Sequence, residues 1–203
     1  MDATLLIDNH YFPCADYVRM LFSYSYIKLE ACESYQKNSF RNRCIIAGSN
    51  GLMNLSVPLE KGRDQKSHYR DIRIAWQDKW QVQHWRSIVS CYRRAPYFEY
   101  YAEPVENLLQ KRFDFLFDLN LEILDWLQKA LKIPGVISLT DSFADISDPA
   151  VNNYRNHWKP SSFQQDAGPL PKYFQLFEDR IGFQPNLSIL DVLFCAGPKA
   201  LIP

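Results

Sequence analysis

With 203 residues, 47% of them hydrophobic and 15% aromatic, the chain has the composition of a folded globule able to bury a substantial core, which excludes the disordered class. Its bases and acids balance at 23 each and its pI is near 6.9, which argues against general nucleic-acid binding, since that draws on a domain-wide basic excess. Charge interrupts every apolar run well before the roughly 18 residues of a spanning helix, and "MDATLLIDNH" lacks the basic start of a secretory signal, so a cytoplasmic protein is expected.

The length fits one domain over 1–203, with an α/β sheet part over 1–76 and a mainly helical part over 77–203. "ATLLID" is apolar and stops at Asp8-Asn9, the pattern of a short buried strand. The loop "NHYFPC" follows, and "ADYVRMLFSY" puts Ala15, Val18, Leu21 and Phe22 at helical spacing. "SYIKLEAC" is a second strand, so the chain opens with a βαβ unit and two parallel strands. In "RCIIAGSNGLMNLSVPL" two β-type runs flank Ser49-Asn50-Gly51, and Asn-Gly supplies the positive φ of a tight hairpin. After a charged loop over 60–70, "DIRIAW" alternates as a further strand.

The remainder reads as mainly helical. "DKWQVQHWRSIVSCYRRA" is amphipathic, with Trp80, His84 and Ile88 on one stripe and Trp85, Val89 and Tyr92 beside it. Pro96 and Pro104 bound a short aromatic segment, and "FDFLFDLNLEILDWLQKALKI" is a long helix ended by Pro134-Gly135. Residues 135–169 are polar and punctuated by proline, which predicts a long surface excursion suited to a lid or a partner contact. "PKYFQLFEDRIGF" and "NLSILDVLFCAG" close the chain as two helices. The fold class is therefore α/β: a small mixed sheet with a βαβ start and a hairpin, then a predominantly helical C-terminal half.

Charge is unevenly spread. Residues 37–94 hold twelve bases against four acids, while the flanking segments are acidic. Internal complementarity and an anion site both fit that pattern. Its densest knot is Lys37, Arg41 and Arg43, with Asn42 between the arginines; on an extended strand two planar forks would face one anion. Pairing with acids of the same domain is the structural alternative. His84 titrates near neutrality, as proton transfer requires, and sits beside Trp85. His10 lies just past the first strand, where α/β sheets bind ligands, next to Tyr11.

Cys14, Cys32, Cys44, Cys91 and Cys195 show no C-x-x-C spacing, and His68 and His157 have no partner at ligand spacing, so five free thiols and no metal site are expected. No Walker, G-x-G-x-x-G, G-x-S-x-G or H-E-x-x-H motif occurs, so no cofactor is named and side chains would have to hold any nucleotide.

"YFPCADY" (11–17), "YQKNSFRNRCIIAGSNGLMNLSVPLEKG" (35–62), the "DIRIAW…W…HWRSI…Y…PYFEYY" pattern (71–101), "FLFDLNLEIL" (115–124) and "GFQPNLSILDVLFCAGPKAL" (182–201) resemble the WbqC-like family, particularly its Bacteroidetes-type members. The resemblance implies a context of bacterial surface-polysaccharide biosynthesis and acyl or aminoacyl transfer to a nucleotide-linked amino sugar. It also implies an anion contact at Arg41 and Arg43 and a role for the Trp80, His84 and Tyr92 helix motif. Two departures stand out. Many relatives carry Gln-Pro where this chain has Asp8-Asn9-His10, and many carry paired aspartates where it has Glu30-Ala31-Cys32-Glu33.

The expected enzyme would hold an anionic nucleotide sugar with Lys37, Arg41, Asn42 and Arg43. His84, or His10 in second place, would take a proton, and Tyr11, Trp85 and Tyr92 would contact the ligand. A non-catalytic binding or scaffold protein for a glycan precursor or a partner enzyme is the alternative.

Overall fold

The computed structural model describes residues 3–62, 66–143, 148–165 and 171–201. It has a four-stranded parallel sheet, a separate hairpin, and helices mostly in the C-terminal half. β1 (Thr4–Asp8) leads through α1 (Ala15–Leu21) to β2 (Tyr26–Glu30), and the two strands pair in parallel, as the opening βαβ pattern predicts. β3 (Arg43–Gly48) and β4 (Gly51–Ser56) form the hairpin over a connection at Ser49 and Asn50; of the Asn-Gly pair only Gly51 takes a positive φ, 129°.

Four expectations are corrected. The 135–169 segment is no plain excursion: it contributes β5 (Val136–Leu139) and β6 (Val151–Asn153), and the sheet runs in the order β5-β2-β1-β6. Both strands are short and pair with distant segments, so no local pattern marks them. Residues 144–147 and 166–169 of that segment, and 63–65 of the charged loop, lie outside the described residues. "DIRIAW" forms no strand; it follows a 3-10 turn at Tyr69–Asp71 and makes only single bridges, Leu59 to Ile74 and Arg73 to Phe115. Pro104 bounds nothing, because α3 (Phe98–Gln110) runs through it. The first closing helix shrinks to α5 (Glu178–Ile181).

Periodicity explains the other helices. α2 (Trp80–Tyr92) buries Trp80, His84, Ile88, Cys91 and Tyr92. α4 (Leu116–Leu131) buries a stripe from Leu116 to Leu131 and ends in a left-handed turn at Lys132, two residues before Pro134. α6 (Ile189–Cys195) is buried on every side, which its apolar sequence requires, and the Ser188 hydroxyl accepts from the Leu190 amide at its start. Gly135 lets the chain enter β5 close to β2: a Cβ there would sit 2.7 Å from Ile27 Cδ1 and 2.7 Å from the Tyr24 carbonyl oxygen. No helix among the described residues is long and apolar enough to cross a membrane.

Candidate functional site

β1 and β2 pair in register, so Asp8 and Glu30 lie opposite each other at the carboxyl end of the sheet. β6 lies on the other flank of β1, and the Asn156 amide that follows it donates to Asp8 Oδ1 at 3.2 Å. The chain leaves β1 towards β2 on one side and returns as β6 on the other. Such a divergence at the carboxyl ends of parallel strands is where open α/β sheets bind ligands.

Arg41 fills that point. It is fully buried and its guanidinium is clasped from three directions. Nε and Nη2 donate to the two Glu33 carboxylate oxygens at 2.7 and 2.6 Å. Nη2 also meets Asp8 Oδ2 at 3.0 Å and donates to Asn156 Oδ1 at 2.9 Å. The His10 ring shares the same Asp8 oxygen, Nε2 to Oδ2 at 2.8 Å. Glu30 is held separately, by Arg155 at 2.7 Å and by the Thr140 hydroxyl and Cys32 amide at 2.8 Å each.

Electrostatics follow from this geometry. Burial pushes the Asp8 carboxyl up, but His10 and Arg41 together outweigh it and hold Asp8 well below the usual carboxylate range. Burial raises Glu33 to about 6 against the opposing pull of Arg41. Burial also works against the Arg41 charge, yet Asp8 and Glu33 more than restore it, so Arg41 is always cationic. An ionised Asp8 only accepts, so the His10 nitrogen facing it carries the hydrogen. In the neutral ring Nδ1 is then a bare lone pair, and it has no hydrogen-bond partner among the described residues.

It is not alone. Asn9 Oδ1, Arg41 Nη1 and Asn120 Oδ1 are likewise buried without a partner among the described residues. They belong to one network: Asn120 Nδ2 donates to the Arg41 carbonyl and to the Tyr69 hydroxyl, which donates to the Asn9 carbonyl. Unsatisfied buried polar atoms are uncommon, so a group of four at a sheet's switch point calls for an explanation.

The other sequence-named residues lie elsewhere. His84 is buried between the Tyr11 hydroxyl, 2.9 Å from Nδ1, and the Ser56 backbone; burial lowers it to about 4, so its ring is neutral at pH 7. Tyr92 is buried, bonding the Ala47 amide and Asp191. The Asn42 side chain donates to the Val57 carbonyl at 3.0 Å. Lys37 lies on an exposed loop, Arg43 is half-buried at the start of β3, and Trp85 is half-buried on the outer side of α2. Of the residues named from sequence, the structure brings His10 and Arg41 together on Asp8, and Tyr11 and His84 together beside them.

Asp8, Glu33, Asn120 and Asn156 complete the cluster; sequence reasoning met Asp8 and Glu33 only as departures from the family pattern and gave none of the four a role. Two signals were readable: the Asp8-x-His10 spacing at a strand end, and Asn120 as a polar residue amid the apolar stripe of α4.

The model of the WbqC-like protein family matches residues 9–158, a span from Asn9 to just beyond Asn156. Over 225 aligned residues the chain is 24% identical to the uncharacterized protein Rv1507c of Mycobacterium tuberculosis, with 98% of this chain and 96% of that protein covered. No solved structure matches the chain. A family match that starts just past β1 and runs through Arg41, α2, α4 and β6 takes in every part of the buried charged cluster but Asp8, so this chain belongs to the WbqC-like protein family.

Proposed function

We propose that this protein is a transferase of bacterial surface-polysaccharide biosynthesis that moves an acyl or aminoacyl group onto a nucleotide-linked amino sugar, with His10 as its base. One observation carries the reading: an ionised Asp8 pins one nitrogen of His10 at 2.8 Å while Nδ1 has no partner among the described residues. A base oriented by a carboxylate, with its other nitrogen open, is the working part of many group-transfer sites. His10 Nδ1 would take the proton of the attacking amine or hydroxyl as that atom bonds to the acyl carbon. The proton then goes to the group that leaves the activated donor.

Arg41 in this reading keeps Asp8 ionised and offers Nη1 to the substrate. Arg43 and Lys37 add positive charge at the entry to the hairpin. His84, neutral between Tyr11 and Ser56, positions Tyr11.

The alternative reading, a non-catalytic binding protein for a glycan precursor, draws on enclosure, since Asp8, His10 and Arg41 are at most 1% exposed. Incubation of the purified chain with nucleotide amino sugars and activated acyl or aminoacyl donors separates the two. Turnover that His10→Gln abolishes and His84→Gln largely keeps supports the transferase. Binding without turnover supports the alternative, and a His10→Gln variant with full turnover refutes the base.

A further inference from the structure

A second feature lies outside that cluster. The outer side of α2 and the segment around α5 enclose an open groove of about 830 Å³, within the roughly 300–1,000 Å³ of small-molecule sites. Arg86, Arg93, Arg94 and Arg180 line it, all four exposed, with half-buried Trp85 and Phe177 among its apolar lining. No carboxylate is among its described lining residues.

These arginines differ from others in the chain. Arg19 and Arg155 pair with Asp16 and Glu30, and Arg41 with Asp8 and Glu33. Arg70, Arg73 and Arg112 lie over aromatic rings. The four in the groove have neither kind of partner among the described residues, and the nearby Glu178 is taken by Lys172. Arg93 and Arg94 follow the carboxyl end of α2, where its dipole favours cations; that does not account for Arg86 in mid-helix or Arg180 from another element. Four like charges facing one another repel unless an anion lies between them.

We infer that this groove binds an organic diphosphate that carries a flat ring. Guanidinium forks match phosphate oxygens two at a time, and several forks suit adjacent phosphates. Trp85 and Phe177 supply faces for the ring. The inference goes beyond the proposed function, since the groove lies apart from the buried cluster, and it rests on that reading only for the ligand class.

The test is binding, kept apart from turnover. The full chain is titrated with uridine diphosphate, inorganic pyrophosphate and uridine, followed by calorimetry. Uridine diphosphate is expected to bind saturably, more weakly as salt rises, and tighter than pyrophosphate or uridine. Arg86→Ala and Arg180→Ala should each weaken it about tenfold, and Trp85→Leu should weaken uridine diphosphate more than pyrophosphate. Arg112→Ala, outside the groove, should change nothing.

No saturable binding overturns the inference, as does an Arg86→Ala/Arg180→Ala double variant that binds like the parent. Equal loss in Arg112→Ala, or an oligothymidylate that binds and resists displacement by uridine diphosphate, also overturns it. Turnover with normal binding in the double variant would sink the inference alone; binding in the groove without turnover would sink the transferase alone.

Discussion

Arg41→Met is the most demanding perturbation of the cluster. It removes a cation that meets both Asp8 and Glu33, each at most 3% exposed, and keeps a chain of similar reach. Breaking a buried ion pair by deleting one partner typically costs about 3–5 kcal/mol, because the remaining charge stays buried and uncompensated. For a chain of this size each kcal/mol lowers the melting temperature by about 2–4 °C, so a loss of roughly 6–20 °C is expected near neutral pH. The loss should also depend on pH. Without Arg41 the Glu33 pKa rises above its present value of about 6, and a protonated Glu33 no longer needs a cation. The deficit should therefore shrink between about pH 7.5 and about pH 5. Thermal unfolding followed by circular dichroism at the two pH values measures it. A loss below about 2 °C, or one identical at both pH values, would refute the account of Arg41 as the clamp of the site.

Asp8→Asn leaves Glu33 on Arg41 and so should destabilise the fold less than Arg41→Met, but it removes the anion that orients His10 and should lower transfer by about two to four orders of magnitude in the turnover assay. The His84 pKa is depressed from 6.5 to about 4, so the unfolded chain binds more protons and the parent loses stability as pH falls through that window. His84→Gln should flatten this limb in denaturant titrations run across it. Asp191 has the opposite sign, because burial raises it from 3.8 to about 6 and its contribution falls as pH rises between those values; Asp191→Asn should remove that slope. Tyr92→Phe strips a hydrogen bond from Asp191 and another from the Ala47 amide, and should cost about 1–3 kcal/mol by urea unfolding.

Local chemistry was legible where local patterns decide structure. "ATLLID" and "SYIKLEAC" became neighbouring parallel strands because each is a short apolar run with a helix between. The hairpin and the stripes of α2 and α4 were legible for the same reason. β5 and β6 were not, since strands of four and three residues owe their existence to partners more than 100 positions away. Nor was α3, where a proline seventh in the helix reads as a break. In the site, His10 was visible as a titratable group past a strand end. The burial of Arg41 was not, because an arginine in a polar stretch belongs on the surface unless acids close over it. One of those acids is 33 positions back and the Asn156 oxygen 115 ahead, distances that only the fold collapses.

The strand order has a consequence for how the molecule is made. β1 is synthesised well before the neighbour on one of its flanks, β6, which pairs Val151 with Thr4 and so emerges 147 residues later. Until then β1 carries a bare edge, and Asp8 lacks the Asn156 amide that caps it. Nascent chains shorter than this hold a sticky half-sheet, and pairings of such long range close slowly. Truncation between α4 and β6 should thus yield aggregates rather than a smaller domain, so the parts of the molecule that surround the charged cluster are inherited together or not at all.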